Sequence, residues 1–511
     1  MRQQGQEHPE HTKNLSSIFQ VQYRKLFPMI FVLGIGGTFS YGFQVSMISY
    51  PSMYIKNFIN DTWQERYHSV IDEQTLTLLW SFIVSTFSIA GFLGTISSRY
   101  LSAKYGKKKC LMFNNLLLIA AAFSWGFSKM AKSFEMILIG RFLCGFNSGV
   151  GCSLHGQYVA EISPKKLRGF TSVTVLFFAN MGKCLGQIAG LSELLGTESL
   201  WPLLMAISGI AALVQLVTLP FFPESPSYLL MQKGDMEGCQ KALKQLWGEG
   251  NHQGAVDDME KEQATTKKIK PMNVLELLKD RSLRFQLYLL ITVVVTMQLS
   301  GINAIYFYAF DVFRTAGFTE DRIPYISLGA GICEFCASIM CSFIIDKFGR
   351  RMLLLWGYGL MVLTLMVLTT TLSLQHQFFW MPYFSIAVIF LLIIIFATGP
   401  AGASFPLMPE LFTQSSRSSA LVISMSLHWV GLYVIGMIFP YVVKSLGTFC
   451  FLIFVGFISI SWILIYRFLP ETKGKSVMEI KEEFNHLNFR KKCVQDMGEN
   501  PSEKYTSCTK L

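Results

Sequence analysis

Between Met297 and Tyr308 the chain reads MQLSGINAIYFY, which sets Gln298, Ser300, Asn303, Tyr306 and Tyr308 inside a long apolar stretch. An amide offers both a donor and an acceptor, which suits hydroxyl groups that are themselves both. A polar group left unpaired in hydrocarbon costs several kcal/mol, so these side chains must face protein, water or a ligand. On an ideal helix Gln298 and Asn303 stand about 140° apart, and both can line one cavity only if the backbone unwinds near Gly301. Amide glue between helices is the competing use of the same residues. Lys183 and Glu334 raise the question again, because each falls midway along an apolar run where a charge cannot snorkel to water. We expect both to face a cleft, either paired with each other or satisfied separately by backbone, Asn180 and water. No nucleophile with a base, phosphate loop or metal-spaced cluster stands out, so neither an enzyme nor a cofactor or metal site is expected. The 11 cysteines lie mostly in or beside apolar runs and read as small packing residues.

The elements that must hold these residues are legible from composition. Of 511 residues 51% are hydrophobic and 15% charged, far from the balance of a soluble domain. Apolar runs of about 20 residues, enough to cross a bilayer core, recur twelve times. Only helices satisfy the backbone of such spans in lipid, which predicts an all-α membrane protein of twelve transmembrane helices. The net charge of +11 is concentrated in a few loops. Arg99, Lys104, Lys107, Lys108 and Lys109 follow the second span, and Lys347, Arg350 and Arg351 follow the eighth. That placement predicts cytoplasmic termini and a lipid-headgroup partner rather than nucleic acid. The first apolar run is too long for a cleavable signal. Asn60-Asp61-Thr62 falls in the first outside loop, making Asn60 a candidate glycosylation site.

The chain also repeats itself once. Gly106-Lys107 returns as Gly349-Arg350, Glu161 with Arg168 returns as Glu410 with Arg417, and Pro223-Glu224-Ser225 returns as Pro470-Glu471-Thr472. A shared shift of half the chain predicts two six-helix parallel repeats with a cleft between them. The expected domains are a tail (1–26), a first bundle (27–221), a cytoplasmic helical linker (222–284), a second bundle (285–470) and a tail (471–511). The duplicated charges are expected to pair across the halves and hold one closed state.

These motifs resemble the facilitative hexose transporters of the major facilitator superfamily. The resemblance covers Gly34 to Lys475 and is carried by Gly140-Arg141, Glu161 through Gly169, Pro223-Glu224-Ser225-Pro226, Gln298 through Ala304, Gly349-Arg350-Arg351, Glu410-Leu411-Phe412 and Pro470 through Lys475. His428-Trp429 and Tyr41-Gly42 point to the branch that holds fructose and urate carriers. The resemblance implies that Gln298 and Asn303 bind sugar hydroxyls, with Tyr306 and Tyr308 closing over the outside. It adds Tyr41, His428 and Trp429 to the substrate contacts, and Arg141, Glu161, Arg168, Arg350, Arg351, Glu410 and Arg417 as gating residues. It also implies a monomeric carrier, most commonly of the plasma membrane.

Departures from the glucose carriers bear on the substrate. Leu176 stands where they have Gln, Met297 and Ala397 replace Gln and Glu, Phe405 replaces Trp, and Leu432 replaces Asn. Leu176, Phe405, Lys183 and Glu334 therefore join the candidate contacts. The expected function is passive, alternating-access transport of a hexose, fructose or glucose, with an organic-anion carrier of the same fold, such as one for urate, as the alternative. A proton symporter would need a cavity carboxylate, for which Glu334 is the one central candidate. A non-transporting sugar sensor is the remaining alternative.

Overall fold

The computed structural model describes residues 25–484 except 165–166, 251, 258, 261–271, 376, 474 and 476–478. Among these, ten runs are long and apolar enough to cross a membrane. One of them, Ser415–Phe468, holds two helices in succession, and Arg168–Ala189 adds a further helix of 22 residues, so the crossings number twelve. In chain order the first six are Leu26–Met47, Glu73–Tyr105, Lys107–Ser128, Glu135–Ile162, Arg168–Ala189 and Trp201–Phe221. The second six begin with a divided seventh span, Arg284–Gln298 and Ile302–Phe307. The eighth and ninth are Ile323–Phe348 and Arg350–Ser373. The tenth runs as Met381–Phe396 and Gly402–Glu410 around a wide turn, and Gln414–Leu446 and Phe451–Phe468 complete the set.

Lipid gives helices no hydrophobic reason to associate, so close packing has to supply the attraction. Spans 2 and 4 meet through glycine: a Cβ on Gly149 would stand 2.1 Å from the Gly91 carbonyl oxygen. Between spans 1 and 5 a Cβ on Gly182 would stand 2.1 Å from the carbonyl of Phe39. The two halves meet where span 2 lies along span 11 and span 5 along span 8. This seam is where the candidate contacts gather.

Three spans are interrupted beside the seam. Span 1 widens to a π-turn at Ile35–Phe39, where Gly37 leaves helical geometry at φ −99°, ψ −107°. The buried Gln215 amide covers the loosened carbonyls, donating to Val32 at 2.9 Å, while its oxygen accepts from Asn115 at 2.9 Å. Span 10 has a second π-turn at Ala397–Ala401 around Pro400, which has no N–H to give to the ladder. Span 7 breaks outright. Gly301 there has φ 87°, a left-handed backbone that only glycine adopts without strain.

The duplicated motifs form the same knot in each half, and here an expectation is corrected. The Glu224 carboxylate accepts the Lys108 N–H at 3.1 Å and so caps span 3; Glu471 accepts the Arg350 N–H at 3.0 Å and caps span 9. Lys107 pairs with Glu161 at 2.7 Å, and Ser225 donates to the same carboxylate. Arg350 pairs with Glu410 at 3.1 Å, and Thr472 donates to it at 2.7 Å. These ion pairs therefore run within a half, not across the halves. The reason is proximity: the positive-φ turns at Gly106 and Gly349 bring each base to the acid of its own bundle.

Replacing Gly149 by Val should lower stability by about 1–3 kcal/mol through overpacking, read as a lower melting midpoint in detergent. An unchanged midpoint would mean that spans 2 and 4 are not held by backbone contact.

Candidate functional site

The break in span 7 does what the spacing of Gln298 and Asn303 required. The helix stops at Gln298, restarts at Ile302, and the Asn303 amide donates to Gln298 Oε1 at 2.9 Å. The Gln298 amide nitrogen lies 2.9 Å from His428 Nδ1. The other imidazole nitrogen, Nε2, lies 3.2 Å from the Tyr41 hydroxyl. A continuous polar run thus crosses from span 7 through span 11 to span 1 of the other half. Gln298 is buried at 1% exposure, whereas Asn303, His428 and Tyr41 are only half-buried.

Trp429 closes the run on one side. Its indole N–H donates to Thr95 of span 2 at 2.8 Å, and its ring meets Tyr41 edge-on at 5.7 Å. A Cβ on Gly91 would enter this ring, so the glycine of span 2 makes room for the indole. Thr95 escaped notice in the sequence because it is 334 positions from Trp429, and one threonine among apolar residues carries no periodic signal.

Lys183 and Glu334 meet. Lys183 Nζ is 2.6 Å from Glu334 Oε1, across the contact of spans 5 and 8. The second carboxylate oxygen accepts the Tyr306 hydroxyl, and the ammonium sits 4.7 Å from the centre of that ring. Tyr308 is tied differently, donating to the Gly436 carbonyl at 2.5 Å. Leu176 is half-buried in span 5. The side chains of Phe405 and Arg168 lie outside the described ones.

The proposed gating residues do not form one cluster. Arg141 is wholly buried near the start of span 4, directed at the carbonyls of Ile83 (3.3 Å) and Gln44 (3.4 Å) with its guanidinium 4.6 Å from the Phe87 ring. Twenty residues of helix, about 30 Å at 1.5 Å per residue, separate it from Glu161. Arg351 donates to the Tyr466 carbonyl at 2.9 Å, and Arg417 is half-buried at the start of span 11. Contacts joining the halves concentrate on the side of the 193–199 loop. Tyr50 donates to the Pro324 carbonyl at 3.1 Å, Lys444 meets Glu73 at 3.1 Å, and Tyr325 donates to Glu193. Asn60 lies within the helix Ser52–Tyr67, half-buried, with Oδ1 buried and unpartnered.

Two six-helix bundles meeting at a polar seam, with broken spans beside it, define a transporter of the major facilitator fold. The E. coli xylose transporter in its inward-open form has this architecture: it aligns with a TM-score of 0.74 at 20% identity, covering 90% of this chain and 99% of that one. The chain belongs to the sugar (and other) transporter family, whose model matches residues 29–484. It is 39% identical over 469 residues to human solute carrier family 2, facilitated glucose transporter member 11, covering 92% of this chain and 95% of the relative. It is 41% identical to mouse member 9 (89% and 84% covered) and 38% identical to sheep member 5 (89% and 91%).

Truncating Gln298 to Ala should strand both Asn303 and His428. We expect a loss of about 1–3 kcal/mol, measured by thermal unfolding, with His428→Phe in the same background adding less than it does alone. Full additivity would show that the three side chains do not act as one run.

Proposed function

We propose that this chain is a passive, alternating-access carrier of hexoses, fructose or glucose, working as a monomer. The observation that carries this is the run Asn303, Gln298, His428 and Tyr41. It offers amide, imidazole and phenol groups at the join of the halves, and those groups can exchange bonds with one another for bonds to sugar hydroxyls. The relatives' names as facilitated glucose transporters agree with it. Trp429 supplies the flat apolar face that suits the C–H side of a sugar ring, with Leu176 as further wall.

Alternating access needs contacts that differ between the two faces. Those on the 193–199 side support a state closed to the outside, with Tyr306 and Tyr308 over the site. The knots of Lys107 with Glu161 and of Arg350 with Glu410, one in each half, support the gate on the opposite face, with Arg168, Arg351 and Arg417 as its further gating residues, while Arg141 braces the first bundle. In this account both tails and the 222–284 linker are cytoplasmic, the bundles comprise 27–221 and 285–470, and the membrane is the plasma membrane. The basic loops after spans 2 and 8 support that orientation. Asn60 is the N-glycan acceptor.

Liposomes holding the purified chain should show counterflow of labelled fructose or glucose. Asn303→Ala should raise KM about tenfold, the effect of about 1.4 kcal/mol, with the protein still folded. Sugar binding without counterflow would make the chain a sensor instead. Expressed in animal cells, the chain should lose a glycosidase-sensitive mobility shift on Asn60→Gln; an unaltered band would remove the glycan and weaken the assigned orientation.

A further inference from the structure

The ion pair at the seam has a use beyond holding helices together. Glu334 is 4% exposed and has both carboxylate oxygens engaged, one by Lys183 and one by Tyr306. The ammonium keeps further N–H donors after bonding Glu334, since it has three. Tyr306 follows Asn303 by three residues on the helix Ile302–Phe307, and side chains at that spacing share a face. The pair therefore sits about one helical turn from the amide run. Two opposite charges thus border the site, and their sum is zero.

We propose that the Lys183–Glu334 pair is a charge filter that determines substrate specificity. Glu334 occupies the counter-ion position beside Lys183 as a built-in anion, so the site accepts uncharged hexoses and rejects hexuronates, the same sugars bearing a carboxylate. Removing one partner leaves a buried charge that seeks a replacement of the lost sign. An incoming sugar carboxylate supplies that replacement once Glu334 is neutral. An amino sugar does so once Lys183 is neutral. The filter rests on the hexose reading above, deepening it to a substrate class.

The test compares glucose, glucuronate and glucosamine as labelled substrates for the full chain in liposomes, with ligand-induced melting shifts in detergent as an independent readout of binding. In Glu334→Gln the glucuronate-to-glucose ratio should rise at least about tenfold, because a hydrogen bond to a charged group contributes at least the 1.4 kcal/mol that tenfold requires. In Lys183→Met the glucosamine-to-glucose ratio should rise instead. The double variant K183M/E334Q should bring both ratios back to those of the unaltered chain. Either single variant is sufficient if the other does not reconstitute. Folded single variants with unchanged ratios would reduce the pair to interhelical glue and overturn the filter. Absence of both glucose and fructose counterflow in the unaltered chain would instead sink the hexose reading, while the melting shifts still report whether charge selects the ligand.

Discussion

The structure depends on one constraint: a polar group inside a bilayer has to find its partner within the protein, because no water is there to accept it. Twelve helices satisfy the backbone. The side chains are harder, and their solutions decide the architecture. Gln215 covers the carbonyls released by the π-turn of span 1, Arg141 gathers carbonyls from spans 1 and 2, and Asn114 and Asn147 exchange amide-to-carbonyl bonds at 2.9 Å. Each is a tie inside the first bundle. None of them has to break when the bundles move.

At the seam the same constraint is met in a different way. Asn303, Gln298, His428 and Tyr41 satisfy one another in a row, and neutral hydrogen bonds of this kind contribute only about 0.5–1.5 kcal/mol each in net terms. Such bonds are readily traded for bonds to a ligand of similar chemistry. The neighbouring ion pair is of another order. Breaking a buried pair by removing one partner costs about 3–5 kcal/mol. A carrier thus sets its exchangeable contacts beside one that resists exchange, with Asn303 of the run and Tyr306 of the pair on the one helix Ile302–Phe307.

The interruptions of spans 1, 7 and 10 explain how these residues converge. A straight helix would spread Gln298 and Asn303 around its circumference. The left-handed residue at Gly301 ends one helix and starts another with a new phase. In span 10 the stretch Ala397–Ala401 forms a π-turn around Pro400, which has no N–H to give to the ladder. Gly357 and Gly399 make this possible by letting spans 9 and 10 approach at the widened turn.

By itself the sequence determined the membrane class, the twelve crossings, the internal duplication and the break at Gly301, because each follows from local composition, period or backbone preference. It also required that Lys183 and Glu334 be satisfied somewhere inside the protein. Which atoms satisfy them was decided only by the tertiary structure, since 151 residues separate the two and no local rule carries information over that distance. For the same reason the duplicated charges were misassigned to partners across the halves. Their spacing revealed the repeat, but only the packing of spans 2 to 4 and 8 to 10 showed that each acid meets the base of its own bundle.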